Sequence, residues 1–162
     1  MRVKTGQKQR RHSTQLARAA MEVMSEYRSM TVFCRRHPLA PLRPMLSANG
    51  YVTAARLDSL PDGRKVKVAG RIVIVHTPPS RNNARVMFVT IEDETGLVDV
   101  VVFPDVQAVW ARQILTAEIL GLEGTLSRAG YEGKSKSIQA ERILPQFTGS
   151  LTDLLTITIS AI

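Results

Sequence analysis

The chain has few of the residues that support disulfide bonding, metal binding or membrane insertion. Its 162 residues include one cysteine, Cys34, and three histidines, His12, His37 and His76, which stand far apart without a CxxC or HxxxH spacing. This pattern excludes an internal disulfide framework, argues against a structural zinc site and fits a reducing compartment. No apolar run approaches the roughly 20 residues of a membrane span, so we expect no membrane contact.

Motifs of enzyme active sites are also missing. The sequence contains no Ser/His/Asp arrangement, no GxSxG and no phosphate-binding GxxxxGK[ST]. The run Glu92-Asp93-Glu94 favours a metal-dependent hydrolase only weakly, because alternation along a strand places Glu92 and Asp93 on opposite faces. Asp93 is better suited to cap the turn that ends at Gly96. We therefore predict a protein that is not an enzyme and uses no metal or cofactor.

Positive charge is concentrated in the first third of the chain. Residues 1–56 hold eleven lysines and arginines against two acids, whereas residues 57–162 hold eleven against twelve. A basic segment attracts nucleic acid because its phosphate contacts release counterions. We expect residues 1–15 to form a flexible basic arm that follows phosphates, the alternative being an arm that is only solvated. The arm has no apolar segment behind it, so a secretory signal is not expected.

Residues 16–60 are predicted to be a helical segment. A helix begins near Leu16, because apolar residues recur there every three or four positions. A shorter helix is expected around Pro44, which limits its length, and Asn49-Gly50 ends it. Thr53 is then placed to cap one further turn.

After the turn Pro61-Asp62-Gly63 the hydrophobic period changes from 3.6 to 2. Five strands follow, and a helix from Pro104 to about Leu115 separates the third from the fourth. Their sequences are KVKVAGRIVIVH, VMFVTIED, LVDVVVF, AEILGLEGTLSR and SKSIQAERIL. This order defines a mainly β fold, the five-stranded OB-fold Greek-key barrel, over residues 64–147. The apolar tail, residues 148–162, is left open as a strand, a partner-binding segment or an altered end of a longer chain.

Alternation assigns a face to each residue of these strands. The residues predicted to face inward are Val66, Val68, Gly70, Ile72 and Ile74 in the first strand, Met87, Val89 and Ile91 in the second, and Val98, Val100 and Val102 in the third. Gly70 is expected to mark a bend. The helix is expected to bury Val106, Val109 and Trp110.

The outward residues of the second and third strands form the candidate site. OB-folds bind oligonucleotides on this face, between the loop that joins strands 1 and 2 and the loop that joins strands 4 and 5. An exposed Phe88 beside Thr90 offers a platform on which any base can stack. The alternative is that Phe88 packs under the helical segment. Including the cationic and polar residues around it, the predicted nucleic-acid-binding set is Phe88, Thr90, Asp99, Val101, Phe103, Arg71, Arg81, Asn82, Arg85, Arg128, Tyr131, Lys134 and Lys136.

Several segments carry a family resemblance. RRHPLAPLRPML, LPDGRKVKVAGRIVI, FVTIEDETGLVDVVVFPDV, LEGTLSR and AERIL resemble the C-terminal portion of bacterial DNA polymerase III alpha subunits, and the error-prone branch used in damage tolerance is nearest. The resemblance covers roughly residues 22–144. It implies an OB domain of the anticodon-binding type that binds single strands in a bacterial cytoplasm. In that group the aromatic residue matching Phe88 stacks on a base and the polar residue matching Asp99 reads it.

The chain also departs from the family pattern. Its loop HTPPSRNNAR is longer than the usual one, SMTVFCRRHP replaces a segment richer in glycine and leucine, and Asp99 stands where asparagine is common. The palm domain and the phosphoesterase domain of the polymerases are absent, so we expect no polymerisation by this chain.

We therefore predict a module that binds single-stranded DNA or RNA, DNA being favoured, either stand-alone or part of a divided polymerase. The first alternative is a module that docks on a DNA polymerase or another replication or repair protein. The second, less favoured, is the metal-dependent hydrolase.

Overall fold

The computed structural model describes Arg18, Met21 and residues 37–79, 85–129 and 133–160. The arm predicted over residues 1–15 lies outside the described residues, as do three members of the predicted site, Arg81, Asn82 and Tyr131. Of the helix predicted from Leu16, Arg18 and Met21 are described, and both have helical backbone.

Five strands form a closed barrel: β1 Lys65–His76, β2 Met87–Asp93, β3 Gly96–Val102, β4 Ile119–Ala129 and β5 Ser135–Ile143. The order around the barrel is β1-β2-β3-β5-β4. Each neighbouring pair is antiparallel except β3 and β5, which run parallel. The predicted OB-fold is therefore confirmed, with strand bounds close to those that the hydrophobic period indicated.

The described helices are α1 Arg43–Ala48, α2 Ala54–Leu57, α3 Pro104–Thr116 and α4 Leu151–Ser160, with 3-10 turns at Ala40–Leu42 and Pro145–Phe147. The predicted caps are present. Gly50 follows α1 with a φ of 81°, and Gly63 takes a φ of 75° in the turn before β1, which favours glycine at both positions. The Thr53 side chain accepts a hydrogen bond of 3.2 Å from the Arg56 amide at the start of α2.

The barrel interior is filled by the residues that alternation assigned to the inside of β2 and β3, all buried. Two helices add side chains to this core. Ala54 and Leu57 come from α2, and Val106 and Ile114 come from α3. The prediction for α3 is wrong at Val109, which is 65% exposed. Ile114 is buried instead, since steps of four residues from Val106 pass through Trp110 to Ile114 and leave Val109 on the solvent side.

A second apolar cluster lies outside the barrel. It joins the leucines of the helical segment, among them Leu42 and Leu46, to Phe147 and to Leu155 of α4, across Ala69 of β1. The C-terminal tail is therefore a helix rather than a strand, and it is packed. Ser150 caps it through a 3.1 Å hydrogen bond from the Asp153 amide.

β1 contains a bulge that changes which of its residues face the core. Ile72 pairs with Ile91 and Ile74 with Thr90, so Val73 is an extra residue without a partner on β2. The insertion inverts the alternation beyond it. Val75 packs against the core, whereas Ile74, predicted to face inward, is 53% exposed.

Gly70 lies where β1 changes partners, pairing with β4 up to Arg71 and with β2 from Arg71 onward. A Cβ at Gly70 would lie 2.8 Å from the Cβ of Ile91, closer than two such atoms approach. Glycine at this position therefore permits the close approach of β2 at the point where the barrel closes.

Candidate nucleic-acid interface

Paired residues of four strands form a continuous outward surface, which we call the platform face. One row across it is His76, Phe88, Val101 and Gln139, and the next is Ile74, Thr90, Asp99 and Ser137. The register thus brings together the four predicted site residues that lie within β2 and β3, which are Phe88, Thr90, Asp99 and Val101. The predicted Phe103 follows β3 at the N-cap of α3 and is 40% exposed.

Two aromatic rings lie together at one side of this face. The imidazole of His76 and the ring of Phe88 are stacked, with centroids 5.3 Å apart and planes 18° apart. His76 is exposed and Phe88 is half-buried, so the imidazole is the outer ring of the pair. Sequence reasoning missed His76 because strict alternation along β1 turns it inward, and only the bulge at Val73 places it outside.

A polar pair lies in the neighbouring row. The Thr90 hydroxyl donates a hydrogen bond of 2.8 Å to Oδ1 of Asp99. This contact orients the carboxylate, which is exposed and can only accept hydrogen bonds when ionised. The N–H groups of a base edge are the complementary donors.

The predicted cations divide into two groups. At the edge of the platform face, Arg71 donates a 2.9 Å hydrogen bond to Glu92 and remains 46% exposed. Arg85 and Lys134 are exposed at the ends of the two loops. These three side chains lie at the margins of the platform face and add positive charge there.

Arg128 and Lys136 are engaged elsewhere. The Arg128 guanidinium donates to the carbonyl oxygens of Leu57 and Asp58, both at 2.8 Å, and of Leu60 at 3.1 Å. Lys136 forms an ion pair with Asp58. The last carbonyls of a short helix have no partners within the helix, so both cations hold the C-terminal end of α2 at the barrel end. We therefore leave Arg128 and Lys136 out of the proposed interface.

The acidic turn between β2 and β3 has a structural role. Oδ1 of Asp93 accepts hydrogen bonds from the amides of Thr95 at 2.7 Å and Gly96 at 3.1 Å, as predicted for a turn cap. Its Oδ2 accepts one of 2.8 Å from the amide of Ala54, and Arg43 of α1 pairs with both Asp93 and Glu94. The turn thus ties α1 and α2 to the barrel. Among the described residues, no three His, Cys, Asp or Glu side chains are grouped to hold a metal ion.

Comparison with known proteins agrees with this geometry. Residues 66–145 match the family described as the OB-fold nucleic acid binding domain. The match spans the barrel, which has the OB-fold strand order. Among solved structures, the asparaginyl-tRNA synthetase of Pyrococcus horikoshii superposes on this chain with a TM-score of 0.47 at 20% identity, over 58% of this chain and 22% of that one.

Sequence relatives of the chain are error-prone DNA polymerases, which confirms the resemblance to that branch. The one from Caulobacter vibrioides is 40% identical over 111 residues, which make up 68% of this chain and 10% of the relative. The one from Methylococcus capsulatus is 33% identical over 135 residues, 83% of this chain and 12% of the relative. The chain thus spans about a tenth of the length of these polymerases. In the described part of the chain, no helix has the length and apolar character needed to cross a bilayer.

Proposed function

We propose that the chain binds single-stranded DNA on the platform face and performs no chemistry itself. The observation that carries the proposal is the stacked pair of His76 and Phe88, which lies one row from the hydrogen-bonded pair of Thr90 and Asp99. A base stacked on the outer ring brings its edge toward the Asp99 carboxylate. Arg71, Arg85 and Lys134 supply positive charge at the margins.

This arrangement favours single strands over duplexes. Stacking on a side chain requires an unpaired base, and each aromatic–base stack contributes about 1–3 kcal/mol with little dependence on the base. The residues from 57 onward have almost balanced charge, so the barrel depends on stacking and local cations more than on its overall field. The loop residues Arg81, Asn82 and Tyr131 belong to the proposal as well, although they lie outside the described residues.

The relation to error-prone polymerases suggests where such a module acts. We propose that it holds single-stranded template for a polymerase whose catalytic domains lie elsewhere in a longer chain or in a separate chain. The alternative is that the platform face docks on a replication or repair protein. Its exposed apolar side chains, Ile74 at 53% and Phe103 at 40%, favour that alternative.

The test replaces Phe88 by alanine. We expect Phe88→Ala to weaken binding of an unstructured oligothymidine by about 1–3 kcal/mol, measured by fluorescence anisotropy, while duplex binding changes little. Leu115→Ala is the matched control, because Leu115 is 62% exposed on α3, away from the platform face. If a folded Phe88→Ala protein binds the oligonucleotide as tightly as the wild type, the platform face is not the nucleic-acid site. Loss of a polymerase partner in the same variant would then favour the docking function.

A further inference from the structure

A basic cleft of about 370 Å³ lies beside the first half of β1, apart from the platform face. It is bounded by β1, by α2 and by the segment that joins α1 to α2. Its lining includes four cations, Arg56, Arg64, Lys65 and Lys67, and one carboxylate, Glu123. None of these residues belongs to the interface proposed above.

The cations around this basic cleft outnumber the carboxylates beside them. Lys65 pairs with Glu141, and Glu123 accepts a 2.8 Å hydrogen bond from Arg142. Within the described part of the chain, the side chains of the other three cations form no hydrogen bond or ion pair. Three like charges in one cleft repel each other, the Glu123 carboxylate opposite Lys67 offsets part of that repulsion, and a bound anion lowers it further.

Ordered backbone holds the three cations in place. The Val52 amide donates a 2.8 Å hydrogen bond to the Lys67 carbonyl, which fixes the joining segment against the edge of β1. The cap at Thr53 fixes the turn that carries Arg56. The Arg64 carbonyl accepts a 2.9 Å hydrogen bond from the amide of Leu126 in β4. The charges therefore sit on three anchored segments of a recess rather than on a single solvated loop.

The second apolar cluster separates the basic cleft from the platform face. It covers the outer side of β1 at Ala69, between Lys67 of the cleft and Arg71 of the platform face. The rise of a strand places those two residues about 13 Å apart along β1. A single nucleic-acid strand is long enough to contact both, and the cluster prevents the two surfaces from merging into one site.

We propose that the basic cleft binds phosphate groups of a nucleic-acid strand that continues past the platform face. The inference rests on the proposed function, because it concerns the same bound strand. No aromatic side chain is among the cleft's lining residues, so the cleft holds backbone and not bases. Arginine suits this task because its planar guanidinium donates two hydrogen bonds to one phosphate. The cleft thus adds affinity for longer strands and contributes nothing to the preference for unpaired bases.

The test uses the triple variant Arg56→Ala, Arg64→Ala and Lys67→Ala. Its binding is measured with oligothymidines of about 8 and about 24 nucleotides, because the shorter strand fits within the span of one OB fold and the longer one extends beyond it. With the longer strand we expect the slope of log affinity against log salt to fall by about 2, at roughly 0.7 per lost phosphate contact. Binding of the shorter strand should change less. Arg112→Ala, which removes an exposed arginine of α3, is the control and should leave both slopes unchanged. Urea unfolding verifies that each variant is folded, and the three single variants replace the triple one if it is not.

The outcomes separate this inference from the proposed function. If Phe88→Ala weakens binding while the folded triple variant matches the wild type on the longer strand, the platform face stands and the cleft proposal is overturned. If the salt slope of the triple variant falls on the longer strand while Phe88→Ala leaves the affinity unchanged, the cleft proposal is supported and the platform face is overturned. A third outcome is that the wild type binds a polyglutamate peptide and the triple variant does not, while the salt slope for the longer oligothymidine is the same in both proteins. That result would overturn the proposal and identify an acidic protein segment as the occupant.

Discussion

The imidazole of His76 lies on the ring of Phe88 because a single extra residue, Val73, reverses the side-chain alternation of β1. The contact links the end of β1 to the start of β2 across the platform face. It supports the Phe88 ring from one side and presents a second ring to solvent. We expect a base on this face to stack on the imidazole, with the Phe88 ring beneath it.

His76 is therefore expected to contribute to single-strand binding through its ring. His76→Ala should weaken oligothymidine binding by about 1–3 kcal/mol, the range for loss of one stacking partner. His76→Phe keeps a flat ring at the same position and should retain most of the affinity. Titration by fluorescence anisotropy measures both. Equal losses in the two variants would indicate that the imidazole acts as a hydrogen-bonding group and not as a stacking surface.

Arg128 is expected to stabilise the fold without contacting nucleic acid. Arg128→Ala removes the donors to the carbonyl oxygens of Leu57, Asp58 and Leu60. Hydrogen bonds from charged groups contribute about 1.5–3 kcal/mol, so the free energy of unfolding should fall by about 2–3 kcal/mol in urea denaturation. The affinity of the folded fraction for oligothymidine should stay near that of the wild type. A stable variant that binds weakly would restore Arg128 to the interface.

The C-terminal helix is expected to be part of the folded core. Leu155 is fully buried in the second apolar cluster, whereas Ile157 on the same helix is 57% exposed. Leu155→Ala should lower the free energy of unfolding by about 2–5 kcal/mol, the usual cost of truncating a buried leucine. Ile157→Ala is the matched control and should cost much less. Similar small losses in both variants would show that α4 is not packed against the barrel.

Stability is expected to depend on pH through His37. Burial lowers the pKa of this imidazole from its ordinary value of 6.5, and this outweighs the opposing attraction of the Glu92, Glu94 and Asp93 carboxylates. Nδ1 of His37 also accepts a 3.2 Å hydrogen bond from the Leu39 amide, which requires that nitrogen to be unprotonated. Below about pH 6.5 the unfolded chain therefore binds a proton that the folded protein excludes, and stability falls as the pH falls through this range.

The variant His37→Asn isolates this effect, since an asparagine oxygen can accept the same amide bond and does not titrate. The free energy of unfolding should decline less for His37→Asn than for the wild type between about pH 7 and pH 5, as followed by urea denaturation at each pH. Parallel declines would mean that other groups account for the acid sensitivity.

Much of this protein was predictable from its sequence, because the relevant signals are local. The period of 2 in β2 and β3 assigned Phe88 and Asp99 to the outer face, since successive side chains of a strand point to opposite sides. Thr53, Gly50 and Asp93 acted as the caps that their chemistry indicated, because each satisfies backbone groups within a few residues. The α4 helix was also readable in part. Leu151, Leu154, Leu155 and Thr158 recur at helical spacing behind a capping Ser150, but the many β-branched residues left a strand open as well.

Tertiary structure alone decided the features that depend on distant partners. The run Ile72-Val73-Ile74-Val75 is apolar at odd and even positions alike, so its pattern does not specify which residue of the bulge is unpaired. The pairing of β1 with β2 decides that, and with it the outward position of His76. Likewise a basic residue in a loop has the same local signature whether it meets phosphate or protein. Arg128 became a structural residue because the fold brings the unsatisfied carbonyls of α2 within reach of its guanidinium, about seventy positions away in the chain.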